Sequence, residues 1–188
     1  MGKALISFYK SKQGKVDKLS RKNRIRGKRG KAYGDQFESL IEVSCKRYKQ
    51  QGIAYISKTY PPFTTLRRQK GQIVGFYGKS GQPDFAGTLK NGRSIVFEAK
   101  HTNTTNMPFE RIADHQKQAL KKHSELGAEA FILVAFKLDD IYKIPIKDWL
   151  ELEKTIGKKS LNEKDLTEYK IGKDRGLIDF INDKENNK

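Results

Sequence analysis

The chain has 188 residues, of which 39 are Lys or Arg and 22 are Asp or Glu, giving a formal net charge of +17. This length suits one compact domain, and the charge attracts polyanions, nucleic acid before acidic membranes. The single cysteine, Cys45, excludes an intramolecular disulfide and favours a reducing cytoplasm. No apolar run approaches the roughly 20 residues of a membrane span, and we find no signal-peptide core, so we expect no membrane association.

The positive charge is concentrated at the N-terminus. Residues 1–33 hold 12 basic residues and one acidic residue, Asp17, which leaves 27 basic and 21 acidic residues for the rest of the chain. Such a segment has too little apolar surface to offset the entropy lost on ordering. We therefore predict a flexible basic arm over residues 1–33, followed by a single domain over 34–188. The predicted DNA contacts of the arm are Arg24, Arg26, Lys28 and Arg29.

The first predicted elements of the domain are a helix over about 35–50, from its apolar spacing, and a strand over 53–56. An unusual segment follows at about 60–81, with two adjacent prolines, four glycines and four basic residues. This composition does not suit a central strand. We predict a projecting ribbon in which residues 73–77 pair with a neighbour. Its predicted DNA contacts are Arg67, Arg68 and Lys70.

The predicted core begins with a hairpin. Residues 84–89 and 93–98 have β-type composition and flank Lys90-Asn91-Gly92, and Asn-Gly between such runs is the strongest short-range hairpin signal. The order of all elements predicts an α/β fold with a mixed central sheet flanked by helices. The later predicted elements are a helix from Pro108 closed by Gly127, a doubly buried strand over 130–136, a strand over 141–144, a helix from Pro145, and a frayed end over 181–188.

The hairpin also carries the candidate chemistry. Pro83-Asp84 begins one strand and Glu98-Ala99-Lys100 ends the next, and residues two apart in a strand share a face. A tight hairpin lets both carboxylates approach one point. Two carboxylates and a lysine suit a Mg²⁺ site that cuts a phosphodiester. A second acid-x-Lys copy, Glu168-Tyr169-Lys170, has no hairpin and is interpreted as solvated surface. The sequence has no Walker A loop, zinc-ligand cluster or nucleophile elbow.

Six motifs follow one another along roughly residues 30–150. The motifs are Gly34-x-x-Phe37-Glu38, Lys58-x-x-Pro61, Pro83-Asp84-Phe85-x-Gly87, Phe97-Glu98-Ala99-Lys100, Pro108-Phe109-x-x-Ile112-x-x-His115-Gln116 and Phe131-Ile132-Leu133-Val134. In this order they resemble the RecU-type Holliday-junction resolvases of low-GC Gram-positive bacteria and their phages, within the PD-(D/E)xK nuclease superfamily.

The resemblance implies a set of site residues. Asp84, Glu98 and Gln116 would ligate Mg²⁺, with Mn²⁺ as a substitute, and Lys100 would stabilise the transition state. Glu38 would face the same site as a further catalytic residue. Gln82 stands where the family has a threonine ligand, and it is the remaining candidate ligand.

The resemblance also implies a restriction-endonuclease-like core and a homodimer. The 60–81 segment would be a stalk that enters the open centre of a four-way junction, which the dimer resolves by paired nicks in recombination and repair. Expected partners are recombinase or branch-migration proteins of the host, in a bacterial cytoplasm or that of a phage host. Two alternatives stay open: another nuclease of the superfamily acting on duplex or flap DNA, and a non-catalytic basic DNA-binding protein.

Overall fold

A computed structural model describes residues 2–78 and 81–181, with side chains for residue 24, residues 27–76 and 78, and residues 81–181. The chain divides into two units, Met1–Gln36 and Phe37–Lys188. No helix in this described part is both long and apolar enough to cross a membrane. The helices are α1 (Gly2–Gln50), α2 (Asp114–Glu125) and α3 (Ile146–Thr155), with 3₁₀ helices at Phe109–Arg111 and Glu163–Tyr169.

Helix α1 confirms the helix predicted over about 35–50, but it begins much earlier, at Gly2. The reason is local: Lys and Arg, which are abundant in the first 33 residues, are good helix formers even without an apolar face. The helix ends as expected before Gly52, whose φ of +69° suits glycine. The amide of Gly52 bonds to the carbonyl of Lys49, and the amide of Ile53 to that of Tyr48. The flexibility of residues 1–33 stays a prediction.

The strands build the mixed central sheet that the sequence predicted. In the described part of the chain the strands are β1 (Ala54–Lys58), β2 (Phe63–Gln69), β3 (Gln72–Tyr77), β4 (Phe85–Leu89), β5 (Ser94–Thr102), β6 (Asn106–Pro108), β7 (Glu129–Phe136), β8 (Asp140–Pro145), β9 (Ser160–Asn162), β10 (Lys170–Ile171), β11 (Lys173–Asp174) and β12 (Leu177–Ile178). Six of them form this sheet, in the order β1-β4-β5-β7-β8-β10. Strands β5 and β7 are parallel, and the other neighbours are antiparallel.

The sheet has a hydrophobic core on each face. On one face, residues 37–48 of α1 pack over a stack of aromatic rings, with centroids 4.9 Å apart between Phe85 and Phe97 and 4.8 Å apart between Phe97 and Phe131. On the other face, α2 and α3 cover the second core around Trp149. Strand β7 contributes to both cores, which confirms the predicted doubly buried strand.

Helix α2 begins later than predicted. We expected a helix from Pro108, but residues Phe109–Arg111 form a 3₁₀ turn and Ile112 is extended, with φ −101° and ψ 109°. The Ile112 side chain is buried in the second core, so tertiary packing overrides local helix propensity here. Helix α2 therefore starts at Asp114 and ends before Gly127, whose φ is +91°.

The charged segment beyond residue 150 contributes more to the fold than its composition indicated. Leu161 and Leu166 are buried in the second core, and Ile178, Phe180 and Ile181 in the first. The Tyr48 hydroxyl accepts hydrogen bonds from the amides of Phe180 (3.0 Å) and Ile181 (3.3 Å). This segment therefore closes the core beside α1. The fraying predicted for the last residues lies, from residue 182 onward, outside the described residues.

Strands β2 and β3 form the ribbon predicted within residues 60–81. Among the described residues they pair only with each other, through a register that shifts between Thr65 and Arg67. The turn uses positive φ at Lys70 (48°) and Gly71 (77°). Every residue of β2 is exposed. We call β2, β3 and their turn the stalk hairpin.

Candidate active site

The hairpin of β4 and β5 brings Asp84 next to the end of β5, as predicted. The Asn91-Gly92 turn, with φ +83° at Gly92, sets a register in which Phe85 lies opposite Phe97. Asp84 precedes Phe85, and its Oδ2 accepts a hydrogen bond from the amide of Ala99 at 3.1 Å. The Asp84 carboxylate thereby lies against β5 where β4 has stopped pairing.

Lys100 joins the two predicted carboxylates. Its Nζ lies 2.9 Å from Oε2 of Glu98 and 3.3 Å from Oδ2 of Asp84. The Glu98 side chain is fully buried, and its Oε1 has no hydrogen-bond partner within the described residues. A buried oxygen that lacks a donor is costly in a closed core and is typical of a group that binds an electropositive ligand.

Burial and mutual contact give the two carboxyl groups different affinities for protons. Burial, then the hydrogen bond with Asp84, raises the pKa of Glu98 to about 8. Burial would also raise the pKa of Asp84, but the hydrogen bond from Glu98 and the charge of Lys100 outweigh it and lower that pKa. The two carboxylates raise the pKa of Lys100 against the effect of its burial. Without a metal ion, Glu98 therefore binds a proton more readily than Asp84 does, and Lys100 favours its charged form beside them.

Gln116 reaches the same site from α2. Its Nε2 donates to Oε2 of Glu98 at 2.6 Å, and its Oε1 accepts from the amide of Ala113 at 3.1 Å. The second bond caps the start of α2, so one side chain ties this helix to β5. In this conformation Gln116 directs its amide nitrogen towards Glu98, and its carbonyl oxygen is bound to the amide of Ala113.

Glu38 lies beside the site, where α1 meets β1. Its Oε2 lies 2.6 Å from Nζ of Lys58. Strand β1 in turn is joined to the site, because the amide of Thr59 donates to the carbonyl of Asp84 at 2.9 Å. The hydrogen bond with Glu38 raises the pKa of Lys58. The sequence analysis did not identify Lys58 as a site residue, although the Lys58-x-x-Pro61 motif contains it.

The remaining candidate residues are exposed. Gln82 lies two residues before Asp84, in the segment that enters β4. The basic residues of the stalk hairpin are solvent-accessible, as are the described ones of the first unit, and the Arg26 side chain is outside the described residues. The exposed cations are Arg67, Arg68, Lys70, Arg24, Lys28 and Arg29. Glu168 and Lys170, the second acid-x-Lys copy, are also exposed, as predicted.

The donor set fits a hard divalent cation. The described residues contain no cluster of three or more Asp, Glu, His or Cys side chains able to hold a metal, and the site offers two carboxylates. Mg²⁺ is commonly held by one or two carboxylates, with waters and substrate phosphates completing its octahedron. The partnerless Oε1 of Glu98 and the second oxygen of Asp84 supply ligand atoms of that kind.

Two carboxylates and a lysine thus converge at the end of a hairpin in a mixed α/β fold, an arrangement that can hold a hard divalent cation next to a positive charge. The comparisons identify the family. The family model for recombination protein U, RecU, matches residues 32–183. The chain therefore belongs to the RecU family, which confirms the resemblance carried by its motifs.

Individual relatives agree with this family. The chain is 32% identical over 119 residues to the Holliday junction resolvase RecU of Staphylococcus epidermidis, and 31% identical over 119 residues to that of Staphylococcus aureus. Each match covers 60% of this chain and 57% of the relative, so the chain spans little more than half their length. Among solved structures, Hjc of Archaeoglobus fulgidus, a Holliday junction resolvase, matches with 13% identity and a TM-score of 0.47, over 71% of this chain and 92% of its own.

Proposed function

We propose that the protein is a Mg²⁺-dependent endonuclease that resolves four-way DNA junctions by paired nicks. The observation that carries this proposal is the convergence of Asp84, Glu98 and Lys100 at one end of the sheet. Membership of the RecU family supports the same activity. The relatives named above are Holliday junction resolvases.

Each site residue has a role that follows from its position. Asp84 and Glu98 would hold the cation, with oxygens of Gln116 or Gln82 as further candidate ligands. When bound, Mg²⁺ polarises the phosphate and lowers the pKa of a bound water. Lys100, held against both carboxylates, places a positive charge where negative charge develops on the phosphate. Lys58 keeps Glu38 oriented at the margin of the site.

The stalk hairpin is our candidate for junction selection. A junction differs from a duplex by its open centre, where four phosphate backbones crowd together. Arg67, Arg68 and Lys70 are exposed on the hairpin and suit that crowded charge. The basic residues of 1–33 would add contacts that do not depend on DNA sequence.

A homodimer fits both the substrate and the stalk hairpin. A two-fold axis places one active site at each of two opposing strands. An isolated two-stranded hairpin is marginally stable in water, and this one exposes apolar side chains that a second copy would cover. These side chains are Phe63, Leu66, Ile73, Val74 and Phe76.

One gel tests the proposal. A labelled four-way junction and a duplex of the same arm sequence are incubated with the protein in Mg²⁺ or EDTA. We expect paired nicks in the junction in Mg²⁺ alone. Equal cutting of both DNAs identifies a general nuclease of the superfamily, acting on duplexes or flaps, and binding without any cutting identifies a non-catalytic DNA-binding protein.

A further inference from the structure

Two charged side chains, those of Asp84 and Arg111, bind the backbone of β5 along the same edge. Strand β4 pairs with β5 only as far as Phe97, so beyond that residue no described strand pairs with this edge of β5. The amide of Ala99 points to this edge and is bound by Asp84 at 3.1 Å. Because backbone polar groups alternate between the two edges of a strand, the carbonyl of His101 points the same way. Nη2 of Arg111 donates to this carbonyl at 3.3 Å.

Arg111 therefore lies along the same edge as the Asp84 carboxylate. Positions 99 and 101 are about 7 Å apart, at 3.3–3.4 Å per residue. Lys100, between them, projects to the face where Glu98 lies. The guanidinium of Arg111 thus binds β5 two residues beyond the point at which the Asp84 carboxylate binds it.

Arg111 also has unused capacity for an anion. The residue is exposed, and among the described residues its guanidinium makes no ion pair, although Glu110 and Asp114 are close in sequence. The other two cations described above around the site are already paired, Lys58 with Glu38 and Lys100 with both carboxylates. A guanidinium has five N–H donors in a planar fork suited to phosphate, and one backbone carbonyl occupies a single donor.

We propose that Arg111 is a substrate-binding residue that holds a DNA phosphate next to the one that is cut. The inference rests on the proposed nuclease function. Its bond to the carbonyl of His101 holds the guanidinium beside the site, and its remaining donors are available to a DNA strand that enters the site. The contact would set the register of that strand relative to Asp84 and Glu98.

The chain offers a matched control in Arg93. This residue is also exposed, makes no ion pair in the described part, and donates from Nε to a backbone carbonyl, that of Gly127, at 2.8 Å. It stands beside the Asn91-Gly92 turn, at the other end of the β4–β5 hairpin. Arg111→Gln and Arg93→Gln each remove one charge and keep an amide donor, and Arg111→Lys keeps the charge without the fork.

The first measurement is binding of a four-way junction in EDTA, over a range of salt. Arg111→Gln should bind about 10-fold more weakly. It should also reduce the slope of log affinity against log salt by about 0.9, the value for one phosphate contact. Arg93→Gln should match the wild type, and Arg111→Lys should keep the slope while losing part of the affinity. Thermal melts check that all variants are folded.

The second measurement places one neutral methylphosphonate at a time along the strands at the junction centre. At one position near the nick, the methylphosphonate should weaken binding by the wild type and by Arg93→Gln. It should not weaken binding by Arg111→Gln any further, because that variant already lacks the contact with this phosphate. Equal losses for the two glutamine variants, or additive losses at every position, would overturn the proposal. Both binding measurements are made without cleavage. A wild type that binds the junction but never nicks it in Mg²⁺ would therefore refute the proposed function without deciding the role of Arg111.

Discussion

Two hairpins of this chain, β4–β5 and β2–β3, share an antiparallel architecture and a tight glycine-containing turn but have opposite surroundings. The first lies within the six-stranded sheet and is buried on the face that α1 covers, whereas the strands of the second pair, among the described residues, only with each other, and β2 is exposed throughout. The candidate catalytic carboxylates lie at the end of the buried hairpin. The exposed hairpin carries cations and apolar side chains. Our proposed chemistry thus depends on a hairpin that is fixed within the sheet, and our proposed recognition of DNA shape depends on a hairpin outside it.

The largest expected effect concerns the buried hairpin. Glu98→Gln or Asp84→Asn should abolish nicking of a four-way junction in Mg²⁺, because each removes a charged ligand oxygen, while junction binding is kept or strengthened by the lost repulsion of phosphate. Labelled-junction gels and binding titrations measure both. Glu168→Gln, at the exposed acid-x-Lys copy, is the matched control. Multiple turnover by Glu98→Gln would contradict the assignment.

The second prediction compares one phenylalanine from each hairpin. Phe97 is stacked between Phe85 and Phe131 and is fully buried, whereas Phe76 is 53% exposed. Phe97→Ala should lower the free energy of unfolding by about 3–5 kcal/mol, the usual range for such a cavity. Phe76→Ala should change it by less than about 1 kcal/mol in the monomer. Denaturant unfolding at low protein concentration measures both, and similar losses would show that the stalk hairpin is part of the cooperative core.

The third prediction removes the exposed hairpin. Replacing residues 63–77 by a short Gly-Ser turn should leave a folded domain whose metal-dependent cutting is intact. Junction affinity should fall by a few kcal/mol, as expected for a handful of charge-assisted contacts, while duplex affinity changes little. Competition of labelled junction against excess duplex measures the preference, and sedimentation measures dimerisation. If the shortened protein still selects and symmetrically nicks the junction, another part of the protein recognises the shape of the junction.

The two hairpins also differ from the rest of the chain in how much the sequence predicts. The Asn91-Gly92 turn and the β-type composition of residues 84–89 and 93–98 are local signals, so the sequence alone predicted that Asp84, Glu98 and Lys100 converge. The start of α2 was not predictable in this way, because the buried side chain of Ile112 holds the chain extended through long-range packing. The closing segment beyond residue 150 was missed for a similar reason. The five buried residues that the structure describes there are scattered among charges, and their partners are distant in the sequence: Leu161 pairs with Met107, and the amide of Phe180 donates to the Tyr48 hydroxyl.

The site shows the same limit. The contact of Arg111 with the carbonyl of His101, and that of Lys58 with Glu38, join residues from different elements. No spacing rule in one sequence connects such pairs. Residues that share a hairpin are therefore predictable from pattern, and residues brought to it by neighbouring elements emerge only from the fold.

The smallest expected effect is a change in how stability depends on pH in the metal-free protein. Burial and Asp84 raise the pKa of Glu98 from 4.5 to about 8. Between these values the folded state binds more protons than the unfolded state, so the free energy of unfolding should fall as pH rises through this window. Glu98→Gln cannot ionise and should flatten that slope, with a gain near pH 8 on the order of 2 kcal/mol. Urea unfolding in EDTA at several pH values measures the slopes, with Glu168→Gln expected to follow the wild type. A Glu98→Gln slope as steep as that of the wild type would show that the ionisation of Glu98 does not set the stability of the metal-free site.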